Sequence, residues 1–221
     1  MTTPLNSSTA DLTKLRLIHA AISLFSKKGI DGVSLRMINR EAGALNNSAL
    51  HYHFGNKMGV IEASIDYIQQ WFEGAREMPL ARLEKDSQSS PAAIEDIVNV
   101  LMDPYIKLLE SESWGYDAIC ALARFEFDGD EAIHTILNRS AGKAARRLKK
   151  LLAKSCPHLP QKMLDHRLNL CLLIAIQGFT DSKNLRHSYL GKLTDRYKAP
   201  EDIGRQFKSF CVAGLSAPIP E

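Results

Sequence analysis

The sequence predicts an all-α fold in which an N-terminal three-helix helix-turn-helix head is attached to a larger helical body. Apolar residues recur at spacings of three and four along most of the chain, which is the period of amphipathic helices. No stretch alternates between apolar and polar residues over the length of a strand. The stretch 43–57, GALNNSALHYHFGNK, adds a turn glycine followed by a short helix rich in hydrogen-bonding side chains.

Composition narrows the class of protein. The 221 residues allow one large domain or a small domain with a medium one, and 45% apolar residues is ordinary for a globular protein. No apolar run approaches the roughly 20 residues that span a bilayer, and the start, MTTPLNSSTAD, lacks the features of a secretory signal. The cysteines form no CxxC pattern: Cys120, Cys156, Cys171 and Cys211. We therefore expect a reduced, cytoplasmic protein without membrane association.

Charge is distributed unevenly along the chain. The net charge is +3, but residues 1–57 hold seven Lys or Arg against three acids, whereas the remaining 164 residues hold 21 basic and 22 acidic groups. The N-terminal quarter is therefore +4 and the rest −1. A basic N-terminal quarter favours a local surface for a polyanion, although an ordinary solvated surface can have the same composition.

The first two helices follow from periodicity and from their ends. Residues 1–10 are small and polar, which predicts a disordered tail. A helix then begins at Asp11, and it ends at 27–29 (KKG), where basic residues suit a helix C-terminus and glycine terminates it. Ser34 is a good N-cap for a second helix that ends near Ala42.

The third helix is short and polar. Gly43 can close the second helix in the left-handed conformation. Three N-cap candidates follow it: Asn46, Asn47 and Ser48. The helix carries three hydrogen-bonding rings: His51, Tyr52 and His53. Such a helix is unstable alone in water, so it must dock on the first two through its apolar residues, Leu45, Leu50 and Phe54. Two short helices joined by a turn with glycine predict a helix-turn-helix motif with the third helix as its recognition helix.

The remaining helices form the body. A fourth helix opens at 55–57 (GNK) without a flexible linker, and we expect it to connect head and body rigidly, so that motion in the body moves the head. Ser90-Pro91 indicates a cap with proline at the first helical position, and Pro104 is expected to kink or break the helix that follows. A polar loop is predicted at 191–200. Further helical segments are predicted at 114–127, 131–154, 164–178 and 203–214.

The segment from Gly29 to Lys57 resembles the signature of the TetR-family transcriptional regulators. The matching parts are Gly29, a hydroxyl-capped second helix from Ser34, the Ala42-Gly43 pair, the HYHF run and Lys57. His51 stands where the family places a tyrosine. The rest of the chain resembles the family in being helical and of suitable length.

The resemblance implies a ligand-responsive transcriptional regulator that binds a palindromic operator in double-stranded DNA as a symmetric homodimer. Repressor is the favoured mode, with activator as the alternative, and a small apolar or amphipathic effector would release the DNA. Helices at 161–189 and 201–214 would form the dimer interface, with Gly178 permitting close helix approach. The domains are then a helix-turn-helix DNA-binding domain at 11–58 and a helical ligand-binding and dimerisation domain at 59–215.

Nine residues form the candidate DNA-binding set: Ser34, Arg36, Asn46, Asn47, Ser48, His51, Tyr52, His53 and Lys57. In this interpretation Asn46, Asn47 and His51 face the bases. Lys57 meets a phosphate together with Tyr52 and the Ser34 hydroxyl. His53 packs within the head.

Six residues form the candidate ligand-binding set in the body: Trp71, Met102, Tyr105, Trp114, Phe125 and Phe179. Aromatic residues at helical spacing are also the ordinary content of a core, so both interpretations stand. Arg124 and Glu126 interrupt an apolar segment, and they are either surface groups or polar anchors in an apolar pocket.

We expect no metal ion, no cofactor and no catalytic residues. His51 and His53 point about 200° apart on a helix and cannot chelate one ion. GxSxG, P-loop and Rossmann glycine patterns are absent from the sequence. The basic face at 143–154 is either a second nucleic-acid site or a solvated surface. The alternative function is a helical enzyme, or a small-molecule or lipid-binding module, without DNA binding, and it has no use for the 43–57 stretch.

Overall fold

The computed structural model describes residues 9–43, 48–181 and 199–219. Its regular elements in these ranges are α-helices: α1 (Thr9–Lys28), α2 (Leu35–Glu41), α3 (Ser48–Phe54), α4 (Lys57–Asp86), α5 (Ile94–Ser111), α6 (Gly115–Asp128), α7 (Glu131–Ser155), α8 (Gln161–Asp181) and α9 (Pro200–Ser216). The prediction of an all-α chain with a three-helix head on a larger body is confirmed. Most of the predicted tail at 1–10 and of the predicted loop at 191–200 lies outside the described residues. None of the described helices combines the length and the apolar character needed to cross a membrane.

The head is held together by an apolar core shared by α1, α2 and α3. Its fully buried members include Leu17, Ile22, Phe25, Ile38 and Leu50. The Ser34 hydroxyl accepts a hydrogen bond from the Met37 amide at 3.3 Å, so the predicted N-cap of α2 is confirmed. Gly43, just after α2, has a φ of +63°, a backbone conformation that L side chains avoid. Local chemistry therefore explains both ends of α2.

One unbroken helix of 30 residues, α4, begins in the head and ends in the body. Asn56 is its N-cap, and the Asn56 side-chain oxygen accepts a hydrogen bond from the Gly59 amide at 2.9 Å. The helix continues through Pro79. Because α4 crosses from residue 58 to residue 59, no break in the backbone marks the boundary between the two predicted domains, and that boundary stays a prediction.

A second connection between head and body runs from α1 to α6. Phe25 and Phe125 meet edge to face with ring centroids 5.4 Å apart. At the end of α1 the Ser26 hydroxyl donates a hydrogen bond to the Asp117 carboxylate at 3.0 Å, and the Lys27 amine lies 3.8 Å from the same carboxylate. The head is therefore packed directly on the body as well as joined to it through α4.

The helix α5 differs from its prediction at two positions. It begins at Ile94 with Ala93 in the N-cap position, so the predicted cap at Ser90-Pro91 is wrong. At Pro104 the predicted break does not occur, because α5 continues through Pro104 to Ser111, whereas the predicted kink stays a prediction.

A buried arginine explains why α5 tolerates Pro104. Proline has no N–H to donate to the carbonyl four residues earlier, which is that of Val100. Arg76 of α4 supplies a donor instead, with its Nε 3.2 Å from the Val100 oxygen and its Nη2 3.4 Å from the Leu101 oxygen. Arg76 is only 7% exposed. A side chain from a neighbouring helix thus completes the hydrogen bonding of α5.

Part of the predicted basic face of α7 is engaged in ion pairs within the chain. Arg147 lies 2.7 Å from the carboxylates of both Glu77 and Glu84 on α4. Lys149 lies 2.6 Å from Asp165 on α8. These two basic residues therefore hold α7 against its neighbours.

Gly178 brings α8 and α9 close together within one chain. A side-chain carbon at this position would lie 2.6 Å from ring atoms of Phe207, so only glycine fits without movement. The close helix approach that Gly178 was expected to permit at a dimer interface is thus made inside the subunit, between α8 and α9.

Replacing Arg76 by Met should destabilise the protein by about 1–3 kcal/mol, because the Val100 carbonyl is then buried without a donor. In a Pro104→Ala background the same replacement should cost less, since the alanine N–H bonds to Val100 instead. Urea unfolding of the four proteins measures this coupling. Arg82→Met is the control, because Arg82 lies on the same helix with its side chain 86% exposed. Equal costs of Arg76→Met in both backgrounds would contradict this account.

Candidate nucleic-acid interface and body cavity

The exposed side of α3 presents hydrogen-bonding rings. Tyr52 is 83% exposed, and His51 is also exposed. The His51 Nδ1–H donates to the Gly55 carbonyl oxygen at 2.9 Å, because a carbonyl can only accept. Nε2 is the ring nitrogen that is left for another partner. Leu50, fully buried, anchors α3 on the head core.

The start of α4 has the features of an anion-binding site. Gly55, with a φ of +71°, allows the chain to turn from α3 into α4. Lys57 is the first residue of α4, and the first turn of this helix contains no acidic residue. A cation beside the free N–H groups of a helix start is unfavourable by itself, but both groups favour a bound phosphate.

Three more members of the predicted DNA-binding set lie on α2 and α3. Ser34 and Arg36 are exposed at the start of α2. His53 is half-buried, and its ring centroid lies 5.9 Å from that of Phe54, which fits the packing role predicted for it. The Ser34 hydroxyl, the Arg36 guanidinium and the rings of α3 therefore belong to the head, and their assignment to one DNA-binding surface stays a prediction.

Two tryptophans of the predicted ligand-binding set lie at the junction of head and body. The indole N–H groups of Trp71 and Trp114 donate to the two carboxylate oxygens of Glu112, at 3.2 and 3.1 Å. Beside them, His19 Nε2 lies 3.0 Å from the Tyr67 hydroxyl. Burial lowers the pKa of His19, and the Glu112 carboxylate partly opposes this effect. This network ties α1 and α4 to the segment that leads into α6.

Three other members of that set, Met102, Phe125 and Phe179, are buried in the core. Arg124 is exposed and forms an ion pair with Asp128 at 3.3 Å, so it is a surface group. Aromatic content alone therefore did not separate core residues from cavity residues.

A cavity of about 170 Å³, here called the body cavity, lies between α4, α5, α6, α7 and α8. Tyr105, from the predicted ligand-binding set, lines this cavity. Glu126, which was expected to be either a surface group or a polar anchor, lines it too. The other lining residues are Gln69, Arg76, Leu101, Leu122, Leu137, Asn138, Ala141, Gly142, Ala144, Ala145, Leu148, Asn169, Leu172, Leu173 and Ile176. Two larger clefts, of about 700 and 740 Å³, are more open and lie along α1, one against α6 and α8 and one against α4. The body cavity is less open than either cleft and its lining is mainly apolar, which makes it the better candidate for a ligand.

Arg76 is the cavity residue that sequence reasoning missed. It lies four residues after Phe72 and four before Leu80, so it interrupts the buried apolar stripe of α4. That interruption is the sequence signal for it. The guanidinium carbon lies 5.7 Å from the Phe72 ring centroid. Burial lowers the pKa of Arg76, while Tyr105 and Glu73 oppose this effect, and an arginine remains charged under these conditions.

The fold and these sites together define a class of protein. A basic three-helix head exposes a short third helix and a helix start that bears Lys57 and no acidic residue in its first turn, and it rests on a helical body that contains a cavity. This combination defines a helix-turn-helix DNA-binding regulator. Residues 17–63 match the family described as bacterial regulatory proteins, tetR family, and residues 99–214 match the tetracyclin repressor-like C-terminal domain. The chain therefore belongs to the TetR family of transcriptional regulators, and the resemblance in its sequence is confirmed.

Individual relatives agree with this membership. The HTH-type transcriptional repressor NicS of Pseudomonas putida is 27% identical over 105 residues, which cover 48% of this chain and 47% of NicS. The match thus spans about half the length of that curated relative.

Solved structures share the fold at low sequence identity. A TetR-family regulator from Rhodococcus sp. has a TM-score of 0.63 at 15% identity, covering 93% of this chain and 100% of that one. The regulator PfmR of Thermus thermophilus has a TM-score of 0.56 at 14% identity, covering 98% and 100%. A complex of SmeT with triclosan has a TM-score of 0.58 at 16% identity, covering 95% and 100%. At these identities the similarity establishes the fold.

Replacing Lys57 by Ala should weaken binding to any DNA duplex, because a phosphate contact is lost whatever the sequence. The slope of log affinity against log salt should fall by about one unit per subunit contact. Fluorescence anisotropy with a random-sequence duplex at several salt concentrations measures both quantities. The matched control is Lys107→Ala, since Lys107 is an exposed lysine on α5, in the body. An unaltered slope for Lys57→Ala, or an equal fall for Lys107→Ala, would remove Lys57 from the phosphate-binding surface.

Proposed function

We propose that this chain is a ligand-responsive transcriptional repressor. It binds a palindromic operator as a homodimer, and a small apolar or amphipathic molecule in the body cavity releases it from DNA. The observation that carries this proposal is the course of α4, which bears Lys57 at its start in the head and Arg76 at the cavity. Two relatives support it: NicS is named a transcriptional repressor, and a solved structure of SmeT holds triclosan.

In this proposal, α3 and the turn before it read the bases. Asn46, Asn47 and His51 contact base edges in the major groove, and an asparagine paired with adenine adds about 1–3 kcal/mol of discrimination. Asn46 and Asn47 lie outside the described residues, whereas Ser48 is the first residue of α3. The exposed His51 ring is the described part of this surface.

Phosphate contacts surround the base-reading surface. Lys57, Tyr52 and the Ser34 hydroxyl bind the backbone and set the register of the head on the duplex. Arg36, exposed two residues after Ser34, adds a guanidinium at the start of α2. His53 supports this surface from within the head.

The proposed dimer interface is formed by α8 and α9, the segments 161–189 and 201–214, of which 182–189 lies outside the described residues. Leu170 on α8 is 43% exposed and Phe210 on α9 is 69% exposed. Large exposed apolar side chains on adjacent helices favour a protein partner, and in this family that partner is a second copy.

Effector binding would reach the head by two routes. One is α4 itself, and the other is the packing of α1 on α6. A ligand shifts the equilibrium between DNA-binding and released states by its difference in affinity for the two. The body cavity touches both α4 and α6, so a ligand there can act on both routes.

The proposed role is regulatory, in the cytoplasm, and requires no catalytic step. A helical enzyme or lipid-binding module has no use for the exposed rings of His51 and Tyr52 beside Lys57, whereas a DNA-binding repressor uses them.

Substituting Leu170 or Phe210 by Glu should give monomers that lose operator binding, because each change places a charge in the proposed interface. These positions are better tests than Leu172, which lines the cavity, and Phe207, whose ring lies 5.3 Å from that of Phe179. Sedimentation velocity reports the oligomeric state, and circular dichroism checks the fold. The control is Met78→Glu, since Met78 is 81% exposed on α4. Unaltered dimers for both variants would remove α8 and α9 from the interface.

The proposed function is tested by a mobility shift on the DNA upstream of the protein's own gene. We expect a sequence-specific complex with this DNA. Small molecules that are first identified because they raise the thermal stability of the protein should dissolve that complex. The Lys57→Ala variant serves as the control for weakened DNA binding. A protein that shows no preference for any duplex would overturn the DNA-binding role. Ligands that raise thermal stability but never change operator affinity would overturn the effector role.

A further inference from the structure

The body cavity contains a buried positive charge that no carboxylate neutralises within the described part of the chain. Arg76 is 93% removed from solvent, and its two hydrogen bonds go to the Val100 and Leu101 carbonyls. A guanidinium has five N–H donors, so three remain without a partner among the described residues. None of the described carboxylates lies within 4.0 Å of this guanidinium.

Bonding to α5 does not by itself explain a charge at this position. The Val100 carbonyl requires a donor, and a neutral amide would supply it at a lower cost of desolvation. A buried cation without a counter-ion is expensive, whereas the same cation becomes favourable when an anion pairs with it. Nη1 is the guanidinium nitrogen without a hydrogen bond to the described chain, and it is not sealed from solvent, so an anion that enters the cavity can pair with it.

The other residues that line the cavity indicate which chemical groups the ligand carries besides its anionic group. Tyr105 lines the same cavity as Arg76, and burial raises its pKa, so its hydroxyl stays protonated and can donate a hydrogen bond. The apolar part of the lining includes Leu101, Leu122 and Leu148. The volume of about 170 Å³ is close to the cavity of about 150 Å³ that holds one benzene ring.

We propose that the body cavity binds a small organic monocarboxylate with one ring-sized apolar group, whose carboxylate pairs with Arg76 and accepts a hydrogen bond from Tyr105. This inference rests on the proposed function, because it names the chemical class of the effector. Glu126 also lines the cavity and repels such an anion, so it limits the affinity and disfavours dianions.

Calorimetry on the purified dimer tests the charge preference with matched probes. Benzoate and cyclohexanecarboxylate should bind at least about tenfold more tightly than benzamide and cyclohexanecarboxamide, because charge-assisted hydrogen bonds to Arg76 are lost in the amides. Benzylamine, with the opposite charge, should bind most weakly. Equal affinity for acid and amide, tighter binding of the amine, or no binding of either carboxylate at millimolar concentration would overturn the proposal.

Three variants separate ligand pairing from a purely structural role of Arg76. Arg76→Lys should keep the preference for the carboxylates, whereas Arg76→Gln, which still offers donors to α5, should lose it and bind benzamide as the wild type does. Glu126→Gln is the matched control from the same cavity, and it should bind benzoate more tightly. An undiminished preference in Arg76→Gln would overturn the assignment. If Arg76→Gln does not fold, the wild-type comparison of acid and amide decides by itself.

The failure of this inference is distinguishable from failure of the proposed function. Carboxylates that bind with the expected preference but do not release operator DNA would leave this site assignment intact and overturn the effector role. Neutral apolar molecules that release the operator, together with carboxylates that do not bind, would support the repressor and overturn this inference.

Discussion

The continuity of α4 is the constraint on which the other features depend. The same helix holds Lys57 at the surface of the head and Arg76 in the body cavity, about 28 Å apart along its axis at about 1.5 Å per residue. Asn56 caps the start of α4. Two ion pairs hold α4 against α7, one between Arg139 and Glu62 and the other between Arg147 and Glu84. A displacement of α4 at the cavity must therefore move the N-terminus that we propose binds phosphate.

Two connections join the head to the body, so a movement of the body would displace the head in a more defined way than a single connection would allow. The Phe25 and Phe125 contact and the Asp117 bonds fasten α1 to α6, while the Glu112 network fastens α4 to the segment before α6. Packed helices move between discrete arrangements, because close packing resists continuous deformation. The ligand that we propose for the body cavity would touch α4 and α6, and it would therefore favour one arrangement of the whole head.

The elements that the sequence predicted well are those set by local chemistry. The cap at Ser34, the turn at Gly43 and the period of the apolar residues act within a few positions, so they can be found without the fold. The course of α5 through Pro104 could not be predicted, because its missing donor comes from Arg76 on another helix. Aromatic residues were weak guides to the cavity for the same reason, since only tertiary packing separates Tyr105 from the core residue Phe125.

The most direct test of the central claim is the distance between the two heads of the proposed dimer. Glu41→Cys places a single exposed thiol on α2 for a spin label, while the four native cysteines are buried. Pulsed electron spin resonance then measures the distance with operator DNA, and again with the carboxylate that binds the cavity most tightly. The account predicts a narrow distribution of distances with DNA and a shifted distribution with the carboxylate. The shift should be absent in Arg76→Gln. Identical distances in both states would contradict transmission from the cavity to the head through α4.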